Sequence, residues 1–298
     1  MRFSVVTPCL NPGPRLARCL ESVAAQTHPG VEHVVIDGGS TDGTVEMLEA
    51  SGVRFVSEPD GGQTEAIAKG FAIASGQILT WLNADDELLP NAAACAAAAN
   101  ADWVYGDCIV VEGARRRMWR PPPRFGNWEV DAGEMIPQPG CWFSRQALDS
   151  AGGLDTSFEL AMDVDLWIRL LDSGVAAHYV GEPLAVFVIH PTSKTGALGK
   201  DQFQLEHARA LAKSGRVRAA SAAVGRATAL GDPAAMREQP QWADSRIVRA
   251  ASMAEQGIEA VRRGRPVGAL RLFAPQVLIV RESRLRLLAA ARRALRLG

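Results

Sequence analysis

Four short apolar runs, each followed by a helix-like stretch, predict an α/β chain on a mixed, mainly parallel sheet flanked by helices. The runs cover residues 3–7, 32–37, 53–57 and 78–82, and such alternation builds parallel strands through right-handed crossovers. Acidic residues follow three of these runs: Asp37, Asp60, and the adjacent pair Asp85 and Asp86. Ligands of such sheets collect beyond the carboxyl ends of strands, so these residues outline one acidic crevice. The chain has 298 residues, of which 47% are hydrophobic, enough for a real core.

The first helix is expected over residues 14–26, with Leu16, Cys19, Leu20 and Val23 on one apolar face. A second should follow residues 40–44, capped by Ser40 or Thr41, with Asp42 at its positive end. Residues 92–99, all alanine but for Cys95, read as a plain helix. Residues 103–105 and 108–111 read as two strands around Gly106 and Asp107. Three consecutive prolines from Pro121 make 121–127 a loop, and a candidate lid. Residues 162–170 read as a helix with a Leu166 and Ile168 core side and Asp163 and Asp165 near its start.

Beyond residue 200 the sequence turns rich in Ala, Arg and Leu, which predicts one domain over 1–200 and a basic helical extension over 201–298, with a strand at 277–280. Residues 1–200 carry 14 Lys and Arg against 25 Asp and Glu, whereas 201–298 carry 18 against 8. That asymmetry fits attraction between the two halves, or a basic face meeting anionic lipid or a phosphate-bearing acceptor. Residues 281–297 set Leu285, Leu288, Ala291 and Leu295 against Arg286, Arg292, Arg293 and Arg296, which suits a docked helix or one lying on a membrane surface. Five scattered cysteines with no metal-ligand spacing and no run near a membrane span predict a cytoplasmic protein, peripheral at the inner face of the membrane if the basic helix engages lipid. No nucleic-acid partner is expected.

Asp85 and Asp86 close an apolar run, and hard oxygen ligands suit Mg²⁺ or Mn²⁺ held together with substrate phosphates. A solvated turn with Asp86 or Asn83 as a helix cap predicts the same residues. Asp37 opens a glycine-bearing turn, Gly38 to Thr44, and can accept a base N–H. Asp163 is a candidate general base or a helix-dipole carboxylate, and His190 a metal ligand, a phosphate donor or a structural histidine.

The assembled pieces SVVTPCLNPGPRLARCLESVAAQT, VIDGGSTDGT, SEPDGGQTEAIAKG, WLNADDELLP, VYGD, IPQPGCWFSRQALDSAGGLD, AMDVDLWIRL and FVIHPTS resemble the family 2 glycosyltransferases over residues 2–195. That resemblance implies the GT-A fold and inverting, metal-dependent transfer of a sugar from a nucleotide-diphosphate sugar to an acceptor hydroxyl. It implies Mn²⁺ or Mg²⁺ as cofactor. The donor would be a UDP-sugar first, with GDP- and dTDP-sugars as alternatives, and the acceptor a saccharide or lipid-linked molecule of surface polysaccharide or glycolipid synthesis. By the same resemblance Thr7, Pro8, Asn11, Asp37, Asp60 and Asp85 bind the nucleotide, Asp86 and His190 hold the metal, and Asp163 is the base. Four positions depart from the family pattern: Leu10 where an aromatic residue often stacks on the base, Gly38 and Asn83 in place of acids, and Met162 in place of Glu. A catalytically degenerate nucleotide-sugar-binding protein is an alternative. A sugar-phosphate nucleotidyltransferase is a weaker one, because residues 9–15 hold two prolines and one glycine where a glycine-rich basic loop is needed.

Overall fold

The computed structural model describes residues 1–194, 200–216, 218–220 and 222–223. The chain divides into two units, Met1–Val130 with Glu134–Leu198, and Asp131–Gly133 with Gly199–Gly298.

The first unit opens with the expected alternation: β1 (Phe3–Cys9), α1 (Arg15–Ala24), β2 (Val31–Asp37), α2 (Thr44–Ser51), β3 (Arg54–Ser57), α3 (Gln63–Ile73) and β4 (Ile78–Trp81). β1 pairs in parallel with β2 and β4, and β2 with β3. There follow β5 (Glu87–Leu88), α4 (Ala92–Ala99), β6 (Trp103–Glu112), β7 (Arg115–Trp119), α5 (Asn127–Ala132), β8 (Cys141–Ser144), α6 (Arg145–Ser150), α7 (Met162–Asp172) and β9 (Ala177–Ile189). The sheet runs β3-β2-β1-β4-β8-β6-β9-β5, with β7 added on β6. β8 lies antiparallel between β4 and β6, so the crevice half is parallel and the other half mixed.

Local sequence explains the joints. α1 buries Leu16, Cys19 and Val23, the face its spacing predicts, and Pro14 sits at its N-cap rather than inside it. α3 lies so close on β1 that a Cβ at Gly70 would come within 2.2 Å of Val6 Cγ1. The two strand pieces expected around Gly106 are one strand, β6, whose register with β9 shifts on either side of Asp107. A side chain at Gly106 would meet the Glu182 carbonyl at 2.5 Å, so the irregularity requires glycine. The predicted cap of α2 is displaced. Gly43 occupies the N-cap at φ 88°, and the Asp42 carboxylate accepts from Thr44 N at 3.2 Å, because Ser40 is engaged elsewhere.

Trp167 of α7 stacks on Trp81 and Trp103, with ring centroids 6.0 and 5.4 Å apart. Arg169 grips Asp165 at 2.8 and 2.6 Å and donates to the carbonyls of Ala151 and Gly153. These contacts fix the first turn of α7, which carries Asp163. Asp165 is thereby a buried structural carboxylate.

In the second unit, α8 (Lys200–Lys213) buries Ala208, Ala210 and Leu211, and Arg216 donates to Asp131 at 2.9 Å. The strand expected at 277–280 and the helix at 281–297 lie outside the described residues.

Candidate active site

The carboxyl ends of β1, β3, β4 and β9 open on a cavity of about 500 Å³. Pro8, Asn11, Asp60, Asp85 and His190 all line it. Asp85 Oδ2 meets His190 Nε2 at 2.9 Å, and the other imidazole nitrogen meets Thr192 Oγ1 at 2.9 Å. His190 follows the last residue of β9, so a contact spanning 105 residues is set by the end of one long strand. Asp60 is tied down by Gly62 N at 2.8 Å. Asn11 adopts φ 47° and its side-chain Oδ1 accepts from Thr41 N at 2.8 Å, joining the β1–α1 turn to the β2–α2 turn.

Three residues assigned to ligand binding on resemblance do not reach this cavity. Thr7 is fully buried and its hydroxyl pairs with His33 Nε2 at 2.9 Å. Asp37 is also fully buried: it accepts from the Ser40 hydroxyl, from Ser57 Oγ at 2.6 Å, and from the backbone N–H groups of Ser40 and Gly39 at 3.0 and 3.2 Å. Burial alone pushes its pKa up, but these donors outweigh that and hold it below the ordinary carboxylate value. Such a carboxylate ties the β2–α2 turn together. Asp86 is the third. Its Oδ1 accepts from Val188 N at 2.9 Å and its Oδ2 from Asn83 Nδ2 at 3.1 Å, both away from solvent. Burial, then the neighbouring Asp85 charge, pushes its pKa well up. The carboxylate of the pair that lines the cavity is Asp85.

Asp163 does not line this cavity; it is partly buried in the first turn of α7 and accepts from Val164 N at 2.8 Å. Several lining residues were not foreseen. Gln63 donates to Asn83 at 2.7 Å, so the chain Gln63–Asn83–Asp86 steadies the loop beneath Asp85. An amide at position 83 can accept and donate at once, which a carboxylate cannot. Arg15 and Lys194 supply the cations, and Lys194 donates to the Glu159 carbonyl at 3.1 Å. Arg15 looks like any first-turn helix residue, and Lys194 trails the FVIHPTS string by one position.

A bound divalent ion fits these residues in part. Among the described residues no three His, Cys, Asp or Glu side chains cluster as a metal cage. One carboxylate and one imidazole do converge, and Mg²⁺ or Mn²⁺ commonly completes its shell with substrate phosphates and water.

The profile of glycosyl transferase family 2 matches residues 4–150. An uncharacterized glycosyltransferase of Mycobacterium tuberculosis is 34% identical over 179 residues, 56% of this chain and 67% of that protein. The chain belongs to glycosyl transferase family 2. A PGL/p-HBAD biosynthesis glycosyltransferase of Mycobacterium bovis is 36% identical over 120 residues, 36% of this chain and 47% of that one. Among solved structures, S. aureus TarS residues 1–349 with UDP-GlcNAc superposes at TM-score 0.65 with 16% identity, covering 93% of this chain and 92% of that one. The Pyrobaculum calidifontis mannosyltransferase PcManGT with GDP-Man and Mn²⁺ gives 0.55 and 19%, covering 94% and 87%. The fold of this glycosyltransferase is GT-A. No helix among its described residues is long and apolar enough to cross a membrane.

Proposed function

We propose that this glycosyltransferase moves a sugar from a nucleoside-diphosphate sugar to an acceptor hydroxyl with inversion, in surface polysaccharide or glycolipid synthesis. The observation that carries the reading is the Asp85–His190 pair facing a 500 Å³ cavity at the strand ends. Pro8, Asn11 and Asp60 would flank the nucleoside, and Arg15 and Lys194 would neutralise the diphosphate. Asp85 and His190 would hold Mn²⁺ or Mg²⁺, which when bound stabilises charge on the departing diphosphate. Thr192, on the second imidazole nitrogen, fixes the ring for that role. Asp163 would take the acceptor proton, an effect worth about 10² to 10⁴-fold. The solved structures with UDP-GlcNAc and with GDP-Man and Mn²⁺ support a nucleotide-sugar donor. In this reading residues 1–200 form the catalytic domain, and the protein is cytoplasmic, peripheral to the membrane where the basic residues of 201–298 engage lipid.

The test is thermal melting of the purified chain with UDP-, GDP-, dTDP- and CMP-sugars, each with and without Mn²⁺ or Mg²⁺. A metal-dependent rise with one nucleotide is expected. Asp163→Asn should keep that rise and lose transfer. A rise indifferent to metal would remove the ion from the reading, and no rise with any donor would overturn it.

A further inference from the structure

Among the described residues three carboxylates line the cavity: Asp60, Asp85 and Glu159. Asp60 is tied to Gly62 N in the β3–α3 turn, and Asp85 to His190. Glu159 stands on the segment that leads into α7, four residues before Asp163. Its backbone is fixed from two sides. The buried Thr64 hydroxyl donates to the Phe158 carbonyl at 2.6 Å, which locks the residue before Glu159 against α3. From β9's end of the cavity, Lys194 donates to the Glu159 carbonyl at 3.1 Å and comes within 3.8 Å of its carboxylate. The Glu159 backbone therefore helps to anchor Lys194, while its side chain is 62% exposed at the cavity wall. Inversion requires the acceptor hydroxyl to attack the anomeric carbon from the side opposite the departing diphosphate, so the transferred sugar lies between the diphosphate subsite and the base. Asp85, His190 and Lys194 bound that interval on one side and Asp163 on the other. Four residues span at most about 14 Å, which keeps Glu159 beside the interval. Met162, in the same first turn as Asp163, is buried and apolar and offers the sugar no polar group.

We propose that the Glu159 carboxylate accepts hydrogen bonds from hydroxyl groups of the donor sugar and so selects that sugar, an assignment that rests on the nucleotide-sugar reading of the cavity. An ionised carboxylate is an acceptor with two oxygens, which suits hydroxyls on neighbouring ring carbons, and such charge-assisted bonds are strong. A bare nucleoside diphosphate gives Glu159 no hydroxyl at this place and sets an anionic terminal phosphate near it. The same carboxylate therefore favours the nucleotide sugar and disfavours the nucleotide left after transfer.

The experiment is titration calorimetry of the full chain with Mn²⁺, comparing UDP with UDP-GlcNAc, GDP with GDP-Man, and dTDP with dTDP-glucose. Glu159→Gln preserves the side-chain shape and the backbone carbonyl that holds Lys194, and at an exposed position it should keep the wild-type melting temperature. For the pair that wild type binds, this variant should weaken the nucleotide sugar about tenfold or more, while the bare nucleotide binds at least as tightly as before. Lys194→Ala, by contrast, should weaken both members of the pair alike. Deoxy analogues of the bound sugar should lose affinity for wild type at one hydroxyl or at two adjacent ones, and Glu159→Gln should bind those analogues as it binds the parent. Equal loss of nucleotide and nucleotide sugar in Glu159→Gln, or no loss of either, would overturn the assignment and leave the donor reading standing. Wild type that binds none of the three nucleotides or their sugars would overturn the donor reading and this assignment together.

Discussion

Asp37 ends β2 and Asp85 lies in the turn after β4, both on the carboxyl side of one sheet, yet only Asp85 lines the cavity. Around Asp37 the chain supplies its own donors, from Ser40, Ser57 and Gly39, and the carboxylate is consumed in holding a turn. Asp85 meets one imidazole beside open space. Asp86 and Asp85 repeat the contrast one residue apart. A carboxylate at a strand or helix end becomes available for chemistry only where local donors leave it an oxygen.

The largest effect should come from the open member. Asp85→Asn is expected to lower transfer about 10² to 10³-fold by removing the carboxylate that would hold the divalent ion beside the diphosphate. Its melting temperature should stay near wild type, because surface changes away from packed features cost within about 0.5 kcal/mol. Steady-state kinetics and calorimetry on one preparation would decide it. A variant that loses stability instead would put Asp85 in the same class as Asp37.

Asp37→Ala should do the reverse. It strands buried donors of Ser40, Ser57 and Gly39, and an unsatisfied buried group costs about 1–3 kcal/mol. Urea unfolding should show that loss, while the folded fraction keeps its turnover per active site. Lost turnover at unchanged stability would restore Asp37 as a ligand residue.

Acid adds an effect with a definite sign. Burial depresses the His33 imidazole from 6.5 to about 4, so its contribution is complete above pH 6.5 and is lost as pH falls toward 4. Asp37, with its pKa lowered in the fold, contributes above the ordinary carboxylate value of 3.8 and weakens below it. Stability should therefore decline in two stages on acidification. His33→Gln should flatten the first, by up to about 3 kcal/mol, and leave the second. A single acid transition below pH 4 in wild type would contradict the burial of His33.

These contrasts mark how far the sequence could be read. Period and spacing gave the parallel half, because β1 to β4 are short apolar runs separated by amphipathic helices. The mixed half was harder: β7 is three arginines, a methionine and a tryptophan, and β8 is four residues whose place depends on partners far away in sequence. Acid positions were legible, but their availability was not. The donors that engage Asp37 include Ser57, and those that engage Asp86 include the N–H of Val188, both set by sheet register rather than by neighbours in the string.

The smallest expected effect lies at the cavity rim. Leu10 is 61% exposed beside Asn11 and Pro12, an apolar side chain held out in water where a planar ligand face would cover it. A branched aliphatic group covers a base edge-on, whereas a ring lies flat on it and gains about 0.5–1.5 kcal/mol beyond the buried area. Leu10→Tyr is therefore expected to tighten nucleoside-diphosphate binding about threefold to tenfold by calorimetry, with stability unchanged because the position is exposed. Unchanged affinity would move the base away from the β1–α1 turn, toward the Asp60 side of the same cavity. Tighter binding with Asp37→Ala and Leu10→Tyr combined would show that the turn recognises the base by surface contact, independent of the carboxylate buried beneath it.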